Sequence, residues 1–282
     1  MKHHINMGSV YYQTAQNIKS NGIVIDAGTG GKAIEVINQQ IGLSTPYHLG
    51  ISEPTRKWSK EYAIAEFLWY LGMNRRVGCM GQFAQIWDNI KDKDGLVESN
   101  YGYYLFNNNW YWIINELETD PESRRAVISI YNNSHKASNK LDHPCSMYVQ
   151  FLVRDYKLHM IWNMRSCDFI FGLCNDMFCA AMILQLMTNE LRESDLNVGC
   201  GTVSFNIGSL HCYERHWKMM FEATEYWGDP HKIAGHKYIL PKDMLLGKLI
   251  KDEHFIASPM DKTQADKAVT RFNKEILMGD FY

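Results

Sequence analysis

Between Met177 and Met187 every residue except Gln185 is apolar, the most hydrophobic run in the chain. It is too short to cross a bilayer, which takes about 20 apolar residues as a helix. Read with its flanks, Gly172 to Leu191, it predicts a long helix buried over most of its surface, with Asn175 as N-cap and Asp176 in the first turn. A helix with so little wet face needs other elements packed around it. Strands supply them: Arg125 to Tyr131 and Met147 to Arg154 are rich in β-branched and aromatic residues, and Asp155-Tyr156 makes a tight turn into a third, Lys157 to Ser166. There Leu158, Met160, Trp162 and Met164 alternate with His159, Ile161, Asn163 and Arg165, so Arg165 stands on the polar face. Val198 to Ser209 reads as a further strand, leading into a polar helix from about His211. An amphipathic helix over Trp58 to Leu71 has Tyr62, Ala65 and Trp69 on its apolar stripe, with Glu66 among them. Strands, a central helix and more strands give the fold class α+β.

The 282 residues contain no Pro/Gly/Ser-rich linker, so one domain over 1–282 is expected. A hydrophobic fraction of 46% is ample for a core, and a net charge of -2 argues against nucleic acid or an anionic membrane as the main partner. Seven cysteines, an odd number without framework spacing, and no signal peptide at the Met1 end point to reduced thiols in a cytoplasm. His211, Cys212 and His216 lack the second ligand pair of a zinc site, so no metal is expected. Gly28 to Lys32 lacks the spacer of a P-loop.

Four segments carry the chemistry, in this order: Asp120-Pro121-Glu122-Ser123-Arg124-Arg125, then Pro144-Cys145, then Arg165 through Asp176, then Gly208-Ser209-Leu210-His211-Cys212-Tyr213. With Ile86-Trp87-Asp88 and Asn100-Tyr101-Gly102 they resemble the thymidylate synthase superfamily, most closely its phage-type deoxycytidylate hydroxymethylase branch, over roughly Gly22 to His216. The resemblance implies a mixed sheet flanked by helices, the sheets packing across a homodimer. It implies a pyrimidine nucleoside monophosphate as substrate and 5,10-methylenetetrahydrofolate as co-substrate.

Cys145 is then the nucleophile, a soft thiolate that adds at C6 of the pyrimidine so that C5 becomes a carbon nucleophile. Arg165 stabilises the thiolate and, with Ser166, Arg124 and Arg125, binds phosphate; guanidinium forks suit phosphate better than a lysine point charge. The resemblance has Arg124 and Arg125 reach in from the other subunit. The family's N-terminal phosphate arginine has no clear counterpart, Lys32 being the nearest candidate. Glu66 matches the proton-relaying glutamate, Tyr101 the tyrosine near C5, and Trp87 the folate-facing wall. Asp168 and Asn175 belong to the substrate set, Asp168 also to the folate side, and His211 with Tyr213 to the sugar hydroxyl.

Asp176 falls where thymidylate synthases carry the asparagine that reads uracil. Cytosine presents an N4 amino donor beside an N3 acceptor, and a carboxyl group meets both once one proton is shared. An ionised carboxylate facing uracil O4 costs about 1–3 kcal/mol for the unmet pair. A register one residue off would put Asn175 there and restore the uracil reading. An acidic residue also suits a helix's first turn whatever its role. Further departures are Ser209 for the aspartate of the family's Gly-Asp-x-His stretch, Cys174-Asn175 for a proline and an aromatic, and Met278 to Tyr282 for an apolar closing tail. A wetter site favours hydration of the transferred carbon, giving hydroxymethyl in place of methyl. The expected product is 5-hydroxymethyl-dCMP; CMP or dUMP as substrate, and a nucleotide- or RNA-binding protein without turnover, are the alternatives.

Overall fold

The structure, a computed structural model, describes residues 2–51, 54–136, 140–226, 236–251 and 261–279. Its main sheet contains β1 (Lys2–His4), β2 (Ile23–Asp26), β3 (Lys32–Leu43), β4 (Val127–Ser129), β5 (Ser146–Arg154), β6 (Lys157–Asp168) and β7 (Gly199–Tyr213), in the order β1-β3-β7-β6-β5-β4 with β2 also on β3. It is mixed: β6 runs parallel to β7, and β3–β7, β5–β6 and β4–β5 are antiparallel. The helices are α1 (Met7–Asn21), α2 (Lys60–Leu71), the short α3 (Met80–Phe83), α4 (Ile86–Ile90) and α5 (Gly102–Leu105), then α6 (Asn108–Thr119), α7 (Leu173–Glu193), α8 (Trp217–Tyr226), α9 (Leu246–Lys251) and α10 (Lys262–Arg271).

The expected alternation in β6 holds: Leu158, Met160, Trp162 and Met164 are buried, while Arg165 is exposed. The β5–β6 turn is made by Asp155 and Tyr156 at φ 49° and 57°, the left-handed pair of a two-residue hairpin whose twist matches its strands. α7 joins β6 to β7 and packs against both, as well as on α2 and α6. Gln185, the polar break in its apolar run, donates to the carbonyls of Pro46 and Tyr238 and accepts from the Leu240 amide. Its amide is satisfied by loop backbone, which is why a polar residue is tolerated at the centre of the core.

Three expectations need correction. The N-cap of α7 is Gly172, not Asn175, because Asp168 already turns the chain: its carboxylate accepts from the Ile170 and Phe171 amides at 3.3 and 3.1 Å. A Cβ at Gly172 would lie 2.8 Å from the Asp168 carbonyl oxygen, so the turn needs glycine. The segment at His211 is strand, not helix, since β7 pairs with β3 as far as Ala33↔Tyr213 and the helix starts only at Trp217. The strand after Arg125 is confined to Val127–Ser129.

Candidate active site

Cys145 ends the loop before β5 and is half-buried. Its Sγ accepts from Ser166 Oγ at 3.4 Å and lies 4.0 Å from Arg165 Nη2. Arg165 also grips the loop itself: Nε donates to the Pro144 carbonyl at 3.0 Å, Nη2 to that of His143 at 2.7 Å, and its backbone amide to that of Cys145 at 2.8 Å. One guanidinium thus fixes both the position and the charge environment of the thiol. Burial pushes the thiol above its ordinary value, while Arg165 and the Ser166 hydroxyl pull it down and Asp176 adds to the rise.

Asn175 and Asp176 have different surroundings. Asn175 is buried; its Oδ1 accepts from Trp58 Nε1 at 3.0 Å and its Nδ2 donates to the Phe171 carbonyl at 2.8 Å. Asp176 is only partly buried and has Cys167 Sγ at 3.9 Å. Its charge acts on Cys145, Tyr101 and Glu66 alike. Burial, reinforced by the Asp168 carboxylate and opposed by Cys167, raises Asp176 to about 7.

Glu66 lies in the middle of α2 and is buried. Burial, with the Asp176 charge behind it, raises it to about 8, against the pull of a hydrogen bond from Tyr62. Its Oε1 accepts from Tyr62 Oη at 3.1 Å, and Tyr62 Oη accepts from Trp87 Nε1 at 3.0 Å. Its Oε2 is buried with no hydrogen-bond partner among the described residues. Tyr101 is buried between Tyr70 and Trp162, with ring centroids 5.6 and 5.9 Å away. Its place depends on Gly102, where a Cβ would come within 1.9 Å of the Tyr70 carbonyl oxygen.

His211 and Tyr213 sit two apart on β7 with ring centroids 4.9 Å apart. Opposite His211 on β3 stands Glu35, whose Oε1 accepts from Ser209. A carboxylate therefore returns beside position 209 from the neighbouring strand. Lys32 is exposed at the start of β3, next to the hairpin whose Gly30 packs on the Tyr213 ring. Arg124 and Arg125 are exposed, outside this cluster: they line a surface concavity with Ser123 and Arg154, and Arg125 is paired with Glu116 at 2.8 Å. Within one chain they are not brought to Cys145; Gln150, which bonds the Arg124 carbonyl, is five residues along the strand, about 15 Å.

Sequence reasoning missed three contributors. Asp142 accepts from the Glu98 and Ser99 amides at 2.6 and 2.7 Å and from Ser99 Oγ at 2.7 Å, tying the loop before Tyr101 to the loop before Cys145. Arg215 stacks on the Tyr213 ring at 4.3 Å and donates to the Gly30 carbonyl at 3.3 Å. Tyr62 bridges Trp87 and Glu66. Asp142, three residues before the cysteine, and Tyr62, four residues before Glu66 on one helix face, have local signals; their links to Ser99 and Trp87, and that of Arg215 to Gly30, reach across the sequence. Among the described residues no group of three His, Cys, Asp or Glu side chains could hold a metal ion, and no helix is long and apolar enough to cross a membrane.

The thymidylate synthase family model matches residues 9–227, so this chain belongs to the thymidylate synthase family. The match begins earlier and ends later than the span from Gly22 to His216 covered by the motifs. Deoxycytidylate 5-hydroxymethyltransferase of Enterobacteria phage T2 is 29% identical over 238 residues, covering 80% of this chain and 90% of that protein. Thymidylate synthase 1 of Bacillus subtilis is 29% identical over 198 residues, covering 62% and 68%. Among solved structures, thermostable thymidylate synthase A from Bacillus subtilis superposes with a TM-score of 0.64 at 23% identity, over 78% of this chain and 84% of that one, a likeness of fold. The family's chemistry is folate-dependent transfer of a one-carbon unit to a pyrimidine nucleotide.

Proposed function

We propose that the protein converts dCMP to 5-hydroxymethyl-dCMP. The observation that carries this reading is the division of labour between neighbours: the Asn175 amide is bound at both ends by Trp58 and Phe171, leaving the half-buried Asp176 to meet a base. With its carboxyl raised to about 7, Asp176 offers one donor and one acceptor, which match N3 and the N4 amino group of cytosine. As the Cys145 thiolate adds at C6, Asp176 delivers its proton to N3 and the cytosine adduct becomes its ordinary 4-amino tautomer. Uracil already carries a proton on N3, so the same delivery would force the costlier enol at O4.

The buried Glu66 Oε2, without a hydrogen-bond partner among the described residues, on a carboxyl linked through Tyr62 to Trp87, fits a folate site on that side. When bound there, 5,10-methylenetetrahydrofolate supplies the one-carbon unit. Arg165 and Ser166 hold the phosphate and favour the thiolate against the burial that raises the thiol; His211 and Tyr213 hold the sugar; Glu66 and Tyr101 move protons, Tyr101 near C5. Water captures the exocyclic methylene to give the hydroxymethyl product. Two copies pack sheet to sheet through the outward face, where Ile37 is 67% exposed, and Arg124 and Arg125 complete the partner's phosphate site.

Incubation with methylenetetrahydrofolate and an equimolar mixture of dCMP, CMP and dUMP, read by mass spectrometry, tests the assignment. A hydroxymethyl product from dCMP alone is expected; a methyl product from dUMP would make the protein a thymidylate synthase, and a product from CMP would move it to ribonucleotides. The expectation for the tail over Met278 to Tyr282 concerns residues of which Asp280 to Tyr282 lie outside the described ones.

A further inference from the structure

Two hydrogen bonds in series connect Trp87 to Glu66, and donor chemistry fixes their direction. An indole Nε1 can only donate, so the Tyr62 oxygen accepts from Trp87, and its single proton must go to Glu66 Oε1. Tyr62 and Glu66 lie four residues apart on one face of α2, so the helix itself sets this pairing. With Oε1 occupied by a donor, the carboxyl's own proton is left to Oε2, the buried oxygen with no hydrogen-bond partner among the described residues. We infer that Tyr62 is a positioning residue: it confines the exchangeable proton of Glu66 to Oε2 and makes that arrangement depend on the position of Trp87. The inference extends the proposed function, since it assigns a device that directs its proton relay.

The titratable groups facing Glu66 are Asp176 and Cys179 on α7 and Tyr62 and Tyr70 on its own helix. Of these, Tyr62 is the one whose hydrogen bond favours the ionised carboxylate; burial and Asp176 oppose it. Removing the phenol hydroxyl therefore has a definite sign. The Tyr62→Phe variant keeps the ring and loses the donor, so Glu66 holds its proton to higher pH and the proton is free to occupy either oxygen.

The test is a carboxyl-13C nuclear magnetic resonance titration of glutamate-labelled protein without ligands, with the Glu66 signal assigned by Glu66→Gln. In Tyr62→Phe the Glu66 midpoint is expected to rise by about one pH unit, the loss of one hydrogen bond to a charged group. In Trp87→Phe, where the phenol loses its orienting donor, it should rise by less. In turnover, Tyr62→Phe should lose about tenfold in kcat with the nucleotide KM within about twofold, and the pH optimum of kcat should move upward. A Glu66 midpoint unmoved in Tyr62→Phe overturns the inference, as does an unmoved pH profile in an active variant. If the wild-type protein turns over no pyrimidine nucleotide, the functional reading fails, while the ligand-free titration still decides the role of Tyr62.

Discussion

At the residue scale the thiol of Cys145 and the carboxyl of Asp176 carry the proposed chemistry. Ser166 Oγ at 3.4 Å and Arg165 Nη2 at 4.0 Å both favour the charged form of the thiol against burial. Replacing sulfur by oxygen keeps the volume and removes the soft nucleophile. Cys145→Ser should therefore lose at least about 1000-fold in kcat while its dCMP affinity, by calorimetry, stays within several-fold. Asp176→Asn replaces the movable proton by a fixed amide; its preference, measured as the ratio of kcat/KM values, should shift from dCMP toward dUMP by about 100-fold or more. The sequence made Asp176 visible through its count from Arg165 but left Asn175 as a rival. What separates them is Trp58 Nε1, more than a hundred residues away, which no local pattern could place against Asn175.

At the scale of elements, the long segments were legible because their burial is periodic. β6 buries every second residue as its sequence alternates, and α7 is buried where its sequence is apolar. The reach of β7 was not legible: the segment from about His211 read as the start of a polar helix, yet it belongs to a strand because β3 pairs with it as far as Tyr213. The short helices α3, α4 and α5 escaped notice, since a single turn has no period to detect. The clamp between the loops of Tyr101 and Cys145 depends on one carboxylate. Asp142→Ala leaves two backbone amides and a hydroxyl without their acceptor, in a buried setting. It should cost about 3 kcal/mol in chemical unfolding and lower kcat more than it raises KM, because both reacting side chains lose their common tether.

For the whole molecule, the carboxyls of the buried Glu66 and the half-buried Asp176 set a pH dependence with a definite sign. Glu66 at about 8 and Asp176 at about 7 stand above their ordinary values of 4.5 and 3.8, so the folded state holds protons that the unfolded chain has released. Their contribution to stability is full below those ordinary values and is lost as pH rises through 7 and 8. Between about pH 7.5 and 8.5 His135, His159 and His216, held below their ordinary 6.5 by burial, are deprotonated in both folded and unfolded states and no longer add slope. In that window the melting temperature of the ligand-free protein should fall with pH, and the Glu66→Gln, Asp176→Asn double variant should flatten the decline. The proposed exchange of arginines across a dimer predicts complementation. Mixing Cys145→Ser with an Arg124→Ala, Arg125→Ala variant, each inactive alone, should restore roughly a quarter of wild-type activity after subunit exchange, since half the dimers then carry one intact site.

Covalent addition of Cys145 to a cytosine ring can be caught with a nucleotide that cannot finish the reaction. Fluorine at C5 cannot leave as a cation, so a 5-fluoro substrate stalls once the one-carbon unit has been transferred. Peptide mass spectrometry after incubation with methylenetetrahydrofolate and either 5-fluoro-dCMP or 5-fluoro-dUMP should find the nucleotide and the folate joined to the peptide containing Cys145, with the cytosine analogue far ahead of the uracil one. No adduct at Cys145 with either analogue would exclude covalent addition by this thiol, and an adduct with the uracil analogue alone would exclude cytosine as its base.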